Sequence, residues 1–547
     1  MQKILNFKTN EETNYCIIAD FLCRIFLLCT KERGNISIKK GEPYPETKKT
    51  YPIYLSMNDG TIISVKDKFL PYAYLYGIKV AEPTTVQLTI QVFNDALQMR
   101  ASKVVKLERN GSLWGLKKIG DKAYLLYTVK DNKAKKKVLI AKEIDLETAK
   151  LSSDKIVLIE TKTNFWEDGI FSIDTSRNGQ LFAVKYMLPQ QLRLKSKVNE
   201  EIGIAVFDNS FNKKWESVVK MPYTADKLEN LDFTLDKNGN GYFLFKKLEA
   251  INFSAKNDPD NYSISIFKVT SNGSVEEKET KLDGHIATSM TIVEADDNTG
   301  DILCAGYYKI KKQVSVKGVF TAVLKENGEF SKPQMFDFTI DFVKEYTRVS
   351  NLKEQSLERK EEKGKLGLND LHMERVVKTE DGGLLLFGEV SFIETVMDSK
   401  GNIYYRYHYY DMIVTKVKAS GELEWMKKVP RRLVSTRRPI LDTYKLSVKG
   451  GSAFVLFIDN PKNINLAEDT RPAYVGFKHK KQWLIAYKID LKTGEKQYLP
   501  VFSMKAIGET KISKFLLSQI VRLTDGDFVA EAYVGKASNS LFRISIK

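Results

Sequence analysis

The 547-residue sequence has few of the side chains that disulfide frameworks and metal sites require. Of its four cysteines, Cys16, Cys23 and Cys29 lie near the N-terminus, so the rest of the chain has only Cys304 and no internal disulfide. Its four histidines are far apart in sequence, and none is spaced to share a metal ion with another. They are His285, His372, His408 and His479. The sequence therefore predicts no metal and no other cofactor.

Catalytic motifs and long apolar runs are missing as well. The chain contains no HExxH, GxSxG, P-loop or CxxC sequence, so none of the enzyme classes that these motifs identify is indicated. Its most apolar N-terminal segment, Tyr15–Cys29, is shorter than the roughly 20 apolar residues of a transmembrane helix and carries Asp20 and Arg24. We expect residues 1–34 to be a targeting or disordered segment with an atypical signal region, in a protein exported to the periplasm or cell surface. The alternative is a short amphipathic helix.

Positive charge is in excess, with 86 Lys and Arg against 69 Asp and Glu and a formal net charge of +17. This excess favours anionic partners, so charge-driven binding of a polyanion such as an acidic glycan is one hypothesis. No nucleic-acid-binding motif is present. An ordinary solvated lysine-rich surface is the alternative. Basic clusters fall at Lys133 with Lys135–Lys137, at Arg193, Lys195 and Lys197, at Lys309, Lys311 and Lys312, at Lys478, Lys480 and Lys481, and at Lys427, Lys428, Arg431, Arg432, Arg437 and Arg438.

From Pro52 onward, one pattern recurs along the chain. Two apolar-alternating runs are joined by a Gly-bearing turn, a variable spacer follows, and two more runs are joined by a second tight turn. Alternation with a period of two indicates β-strands, and glycine supplies the positive φ of tight hairpin turns. The repeats begin near Pro52, Leu113, Ile170, Leu231, Thr288, Met373, Tyr444 and Leu516. Their turns include Asp59-Gly60, Asn178-Gly179, Asn238-Gly239, Asn272-Gly273, Thr299-Gly300, Asn327-Gly328, Asp381-Gly382, Ser420-Gly421, Thr493-Gly494 and Asp525-Gly526.

Four antiparallel strands in each repeat indicate an all-β fold, a β-propeller, in which the sheets are arranged radially around an axis. We predict eight four-stranded blades, with seven as the alternative because the first two repeats have weaker turn signals. The last repeat is one strand short. Asn35–Lys40 is predicted to supply an outer strand there and so to close the ring. Residues 35–547 would then form a single propeller domain, closed by its N- and C-terminal strands.

The spacers between second and third strands are mostly long, and the topology places all of them on one face of the disc, which we call the loop-rich face. They include Lys66–Val86, Tyr186–Ile202, Lys246–Tyr262, Tyr307–Gly318, Glu389–Asp411 and Ile458–Gln482. An insertion over residues 341–370 follows the fifth repeat. Its first part, Asp341–Lys363, has apolar residues at helical spacing and predicts one amphipathic helix that stops before Gly364. The apolar residues are Phe342, Tyr346, Val349 and Leu352.

The most unusual stretch of the loop-rich face lies within the spacer of the sixth repeat. It consists of Tyr404, Tyr405, Arg406, Tyr407, His408, Tyr409 and Tyr410. Aromatic rings stack on sugar rings and anchor protein interfaces, so these residues are the candidate ligand-binding site for a protein or a glycan. The alternative is structural, with alternate tyrosines covering a neighbouring blade while the others decorate a β-hairpin.

Two sets of acidic residues are weaker candidates for a functional site, one for calcium binding and one for acid–base catalysis. Asp236–Gly241 matches the start of a calcium-binding loop, but Lys247 stands where an EF-hand needs a carboxylate, which favours a plain turn. Acids near the starts of inner strands could face the central channel and act as an acid–base pair in a hydrolase or lyase. They are Glu167, Asp168, Glu229, Asp232 and Glu374.

Three stretches of the sequence resemble an uncharacterised bacterial family of exported, propeller-like proteins. They read KTEDGGLLLFGE (Lys378–Glu389), YYRYHYYDMIVTKVKASGELEWMKKVPR (Tyr404–Arg431) and GKLGLNDLHMERV (Gly364–Val376). The resemblance implies export and a β fold, and it implies no activity. The sequence as a whole favours a non-enzymatic binding or scaffold protein of unknown ligand that uses the loop-rich face. A channel hydrolase or lyase and charge-driven polyanion binding are the alternatives.

Overall fold

The computed structural model describes residues 36–45, 51–67, 86–163, 171–188, 198–249, 261–280, 282, 284–295, 299–347, 351–436, 439–440, 442–476, 482–535 and 538–547. Within these ranges the chain forms eight β-sheets, each with four or more strands. Neighbouring sheets approach one another most closely through their first strands, which places these strands innermost.

The first four blades are regular four-stranded sheets, with their strands named in order from the innermost to the outermost. Blade 1 contains β3 (Tyr51–Ser56), β4 (Ile62–Asp67), β5 (Gln87–Phe93) and β6 (Met99–Lys106). Blade 2 contains β7 (Gly111–Ile119), β8 (Lys122–Asp131), β9 (Lys136–Ile144) and β10 (Ile156–Lys162). Blade 3 contains β11 (Phe171–Thr175), β12 (Leu181–Met187), β13 (Asn199–Asp208) and β14 (Lys213–Thr224). Blade 4 contains β15 (Leu228–Leu235), β16 (Gly241–Leu248), β17 (Tyr262–Val269) and β18 (Val275–Thr280).

Blade 5 is also a four-stranded sheet, and blades 6 to 8 carry additional strands. Blade 5 contains β19 (His285–Glu294), β20 (Ile302–Ile310), β21 (Gly318–Leu324) and β22 (Gln334–Asp337). Blade 6 contains β23 (Leu371–Lys378), β24 (Leu384–Met397), β25 (Ile403–Val417), β26 (Leu423–Val429) and the extra β27 (Leu433–Thr436). Blade 7 contains β28 (Lys445–Lys449), β29 (Ser452–Asp459), β30 (Trp483–Asp490), β31 (Lys496–Ser503), β32 (Ala506–Ile507) and β33 (Thr510–Lys511). Blade 8 contains β34 (Lys514–Arg522), β35 (Phe528–Tyr533), β36 (Ser538–Ile546), β1 (Ile36–Lys40) and β2 (Tyr44–Pro45).

The tight turns fall where the glycines predict them. Gly382 and Gly421, in the two hairpins of blade 6, have φ of 87° and 85°, a conformation that residues with a Cβ rarely adopt. The other predicted turn glycines also have positive φ, namely Gly60, Gly179, Gly239, Gly273, Gly300, Gly328, Gly494 and Gly526. The prediction of eight four-stranded blades is confirmed.

Residues 36–45 join the C-terminal strands in blade 8 and close the ring. β1 pairs antiparallel with β36, and Ile38 lies opposite Ile544. β3 of the first blade contacts β34 of the last. The outer strand of the last blade is therefore β1, which lies within the stretch Asn35–Lys40 that the sequence assigns to this position.

A buried ionic cluster fastens the last blade to the first. Glu531 accepts hydrogen bonds from Lys66 Nζ at 2.5 Å, from Tyr54 Oη at 2.7 Å, from Asn539 Nδ2 at 2.9 Å and from the Tyr44 hydroxyl. The side chains of Lys66 and Glu531 are only 2% and 1% exposed. Burial alone would raise the pKa of Glu531, but the Lys66 charge and these hydrogen bonds hold that pKa below its usual value.

Apolar side chains fill the spaces between adjacent blades. The described residues form eight buried clusters, and each draws its residues from two neighbouring blades. Between blades 7 and 8, for example, Leu456 packs in the same cluster as Phe528. Between blades 8 and 1, Ile62 packs with Val529. The core is thus a ring of blade interfaces, and the closing interface is built like the others.

The insertion after blade 5 contains two helices, whereas the sequence predicted one amphipathic helix. α1 (Ile340–Lys344) ends just before Tyr346, whose φ is 58° and whose N–H donates to Glu468 O. The single-helix prediction is wrong because burial of the Tyr346 ring, only 6% exposed, draws the backbone out of the helix.

The second helix is α2 (Asn351–Glu362), and its described side chains are polar on all sides of the helix. Among its described side chains, Leu357 is the one large apolar residue, and it is only half-buried. The expected amphipathic character is therefore wrong for α2, and Val349 lies outside the described residues. Gly364 follows with φ of 63°, where the sequence predicts the helix to stop.

The N-terminal segment of residues 1–34 lies outside the described part of the chain. Across the ranges that are described, no helix combines the length and the apolar character needed to span a membrane.

Candidate functional site

The two middle strands of blade 6 continue beyond the blade. β23 accompanies β24 only as far as Val390, and β26 pairs with β25 only from Met412 onward. Ser391–Met397 and Ile403–Tyr410 therefore project past the sheet as a ribbon, which we call the arm. It occupies the spacer that contains the candidate tyrosine run, on the loop-rich face.

The register of the arm divides the tyrosine run between two faces. Tyr405 lies opposite Thr395, and Tyr407 lies opposite Ile393. Side chains alternate along a strand, so these four residues share one face with Met397 and Ile403. We call this the apolar face. The opposite, polar face carries Phe392, Glu394, Val396, Tyr404, Arg406, His408 and Tyr410.

The apolar face exposes four large apolar side chains next to one another. Ile393 is 63% exposed, Met397 68%, Ile403 67% and Tyr405 52%. Met397 lies directly opposite Ile403 at the tip of the ribbon. Isolated exposed apolar residues are ordinary on protein surfaces, but contiguous ones mark interaction sites.

The charges on the polar face are paired with one another. Glu394 contacts Arg406 Nη1 at 3.0 Å and His408 Nε2 at 2.9 Å. The His408 ring stacks on Phe392 with 4.4 Å between ring centroids, and its Nδ1 lies 3.1 Å from Tyr410 Oη. The hydrogen bond with His408 and the Arg406 charge lower the pKa of Glu394.

A third strand supports one edge of the arm. β27 pairs antiparallel with Arg406–Tyr409 of β25, and His408 lies opposite Val434. Tyr409 Oη accepts a hydrogen bond from Ile440 N at 2.9 Å. Tyr409 is therefore held within the arm, unlike the exposed Tyr405.

A buried arginine anchors the base of the arm. The side chain of Arg431 is 0% exposed, and its guanidinium donates to the Glu389 carboxylate and to Thr443 O at 3.0 Å. The Arg431 N–H donates to Asp411 Oδ1 at 3.1 Å. Burial raises the pKa of Asp411 to about 6. Glu389 precedes the arm on β24 and Asp411 follows it on β25, so Arg431 fixes both strands where they leave the blade.

Inner-strand aspartates elsewhere in the ring join neighbouring blades. Asp174 of blade 3 accepts from Thr234 Oγ1 of blade 4 at 2.9 Å. Asp232 of blade 4 accepts in the same way from Thr291 Oγ1 of blade 5 at 2.6 Å and from Ile292 N at 3.2 Å. Both aspartates therefore hold adjacent inner strands together.

Asp232 and Glu374 line the same cavity of about 370 Å³ between the inner strands of blades 3 to 6. Burial raises the pKa of both carboxyl groups, and the Glu389 charge adds to the effect on Glu374. Glu229 is not among the lining residues. Glu167 and Asp168 lie outside the described residues.

An arginine spans the turns at the opposite, tight-turn end of these blades. The Arg177 guanidinium, from the first hairpin of blade 3, donates to Ala295 O at 2.9 Å and to Thr379 O in blade 6. Its backbone N–H donates to Glu294 at 2.9 Å. Arg177 therefore links the tight turns of blades 3, 5 and 6.

Several cations that the sequence assigned to surface clusters are buried. Lys428 is 2% exposed and donates to Phe342 O at the end of α1, and Arg431 is enclosed at the base of the arm. Lys137 is 3% exposed, while Lys133 and Lys135 are exposed. Neither hypothesis for the basic clusters, a polyanion-binding surface or a solvated lysine-rich surface, holds for Lys428 and Lys137, because the first contacts backbone carbonyl oxygens and the second lies over the Phe171 ring. Arg193, Lys195, Lys197, Arg437, Arg438, Lys478, Lys480 and Lys481 lie outside the described residues.

The calcium-like stretch forms a turn that Asp236 holds with its own carboxylate. Asp236 Oδ1 accepts from Asn238 N at 2.9 Å and from Asn240 N at 2.8 Å, as in an ordinary Asx-type turn. In the part of the chain that the structure describes, no group of three or more His, Cys, Asp or Glu is placed to hold a metal ion.

No protein-family model matches the sequence, and no curated protein matches it. Solved structures match the fold. The β-propeller domain of the Trilobed protease from Pyrococcus furiosus is 11% identical with a TM-score of 0.31, over 70% of this chain and 96% of that chain. Prolyl oligopeptidase B from Galerina marginata is 8% identical with a TM-score of 0.37, over 96% of this chain but only 60% of that chain.

A protein of unknown function from Bacteroides caccae is also similar, with 10% identity and a TM-score of 0.25 over 65% of this chain and 100% of that chain. All three TM-scores lie below 0.5, so the assignment of the propeller fold rests on the strand topology of this chain itself. These similarities concern the fold alone. Bacterial origin and export, which the sequence resemblance implies, stay predictions.

Proposed function

We propose that this propeller is a binding protein whose partner, another protein, docks on the apolar face of the arm. The observation that carries the proposal is the contiguous exposure of Ile393, Met397, Ile403 and Tyr405 on one face of a ribbon. Tyr405 is the expected anchor, because tyrosines are enriched among the residues that contribute most to protein interfaces.

The anchoring of the arm supports this proposal. β27 holds one edge of the arm, and Arg431 fixes its base through Glu389 and Asp411. A surface that is already ordered loses less conformational entropy on binding. The arm is therefore a preorganised surface, whereas a free loop would have to become ordered when the partner binds.

The chemistry of the apolar face favours a protein over a glycan. Ile393, Met397 and Ile403 offer no hydrogen-bonding group to sugar hydroxyls, whereas the charged groups Glu394 and Arg406 lie on the other face and pair with each other. A partner that buries an apolar surface of its own fits better. A glycan would have to stack on Tyr405 with little polar support.

Site-specific photo-crosslinking in the native cell tests the proposal. A photoreactive phenylalanine analogue replaces Tyr405 on the apolar face in one variant and Tyr404 on the polar face in the matched control. We expect one defined protein adduct from position 405 and little from position 404. Protein docking on this face would be contradicted if both positions gave the same adduct in equal yield. It would also be contradicted if neither position gave an adduct and the protein bound a glycan array in a way that Tyr405→Ala abolished.

The channel cavity supports a second candidate function, a hydrolase or lyase. Asp232 and Glu374 line one cavity, and a pair of carboxyl groups with raised pKa can divide acid and base roles. Asp232 is already engaged by Thr291 and by backbone N–H groups, so Glu374 would have to perform the proton transfer. Turnover of a glycoside or peptide substrate panel that disappears in Glu374→Gln would establish this function, and an unchanged Glu374→Gln would remove it.

A further inference from the structure

One edge of the arm is an unpaired strand. β23 ends its pairing with β24 at Val390, and no other described strand pairs with Phe392–Met397 on that side. The other edge of the arm, along β25, is covered by β27. The arm therefore presents one free β-edge, directly beside the apolar face.

The hydrogen bonds at the two ends of this strand show which backbone groups face the free edge. The Ser391 N–H donates away from β25, to Asp370 O at 2.9 Å, whereas the Asp398 N–H donates across the ribbon to Asn402 O at 3.0 Å. Backbone groups alternate in direction along a strand. The N–H and C=O groups of Ile393, Thr395 and Met397 therefore point outward from the free edge.

The strand lacks the features that normally protect an edge from pairing. Phe392–Met397 contains no proline or lysine, and its pairing with β25 runs without a register shift. Its one charged residue, Glu394, points to the polar face and is paired with Arg406 and His408. Exposed edges of this kind add a strand from another chain, which contributes main-chain hydrogen bonds.

We infer that the partner binds by β-strand addition, placing an extended segment along the free edge of Phe392–Met397. This inference rests on the proposed function, since it specifies how the partner reaches the apolar face. Residues of the segment beside Ile393 and Met397 lie on the apolar face, so alternate positions of the segment are apolar. The residue beside Glu394 lies on the polar face, where Arg406 and His408 already pair with the carboxylate, so a polar side chain fits this position.

The experiment selects peptides from a phage-displayed library of random nine-residue sequences on the full-length protein. Bound clones are then compared on wild type, Thr395→Pro and Thr395→Val. Proline removes one outward N–H without touching the ribbon's own hydrogen bonds, and edge strands tolerate it. Valine removes the Thr395 hydroxyl but keeps the N–H. Ile393→Pro is a second variant, which removes the outward N–H of residue 393 in the same way.

We expect the selected peptides to alternate apolar and polar residues and to bind Thr395→Pro or Ile393→Pro at least tenfold more weakly, with binding to Thr395→Val changed less than twofold. Peptides that bind both proline variants as well as wild type would overturn strand addition. Photo-crosslinks from position 405 that persist in Thr395→Pro would also overturn it, while leaving the proposed docking on the apolar face intact. Selected peptides that lose affinity for Tyr405→Ala but bind both proline variants as well as wild type would identify docking by side chains without an added strand.

Discussion

Replacing Lys66 by methionine tests the ring closure, because it leaves Glu531 buried without its counter-charge. Both side chains are almost fully buried, and their charged atoms lie 2.5 Å apart. Removing one member of a buried ion pair costs about 3–5 kcal/mol. With a urea dependence of about 3 kcal/mol/M for a chain above the usual small-domain size, the midpoint of unfolding should fall by about 1 M or more.

The midpoint of unfolding is measured by urea titration at pH 7, with tryptophan fluorescence as the signal. The proteins compared are wild type, Lys66→Met, Lys66→Met/Glu531→Gln and Lys122→Met. Lys122 is the matched control, since it pairs with Glu143 at 2.8 Å while the two side chains are 59% and 37% exposed. An exposed pair is worth at most about 1 kcal/mol. The double variant should recover most of the loss, because a neutral glutamine needs no counter-charge.

The pH dependence of the free energy of unfolding is an independent test of whether the Glu531 charge stabilises the fold. In wild type the pKa of Glu531 is lowered, so the stability that it contributes is present above its unfolded pKa of about 4.3 and is lost as pH falls through the folded pKa. In Lys66→Met the pKa of Glu531 should instead be raised, and stability should fall as pH rises above about 4.3. A Lys66→Met midpoint no lower than that of Lys122→Met would refute the reasoning.

Three further variants test other parts of the structure. Burial raises the pKa of Asp459 to about 7, so its ionisation opposes folding and stability should fall as pH rises from about 4 to 7. The free energy of unfolding of Asp459→Asn, measured by urea titration, should exceed that of wild type by up to about 4 kcal/mol at pH 8 and by almost nothing at pH 4. Gly203→Ala would place a Cβ 2.0 Å from the Tyr186 ring and should cost about 1–3 kcal/mol in the same titration. Arg431→Met should cost about 3–5 kcal/mol, because Glu389 stays buried without its partner, and a wild-type midpoint would contradict the anchoring of the arm.

The strand count could be predicted because it depends on local signals. A glycine such as Gly382 sits where φ must be positive, and alternation shows which residues face a neighbouring blade. The missing strand of the last repeat could be assigned to residues 36–40 because an open edge in blade 8 needed a partner.

Other features depend on tertiary contacts that the sequence does not display. The helix breaks because Tyr346 is buried, and Lys428 leaves the surface because it reaches the carbonyl oxygen of Phe342. The tyrosine run located the arm, but the strand register decides which rings are exposed, so Tyr405 and Tyr404 differ although they are neighbours. Ile393 of the apolar face lies on β24, outside the tyrosine run of β25. Pairing these two strands in the sequence about the turn at Gly401 would have placed it there.

The most direct test of the account is the affinity of the partner that is crosslinked from position 405, measured with the purified full-length protein. Tyr405→Ala should weaken binding by roughly thirtyfold, which corresponds to about 2 kcal/mol for an anchoring aromatic residue. Tyr404→Ala, one residue away on the polar face, should change the affinity by less than about twofold. Equal losses in both variants, or no loss in Tyr405→Ala, would contradict the assignment of the apolar face as the binding surface.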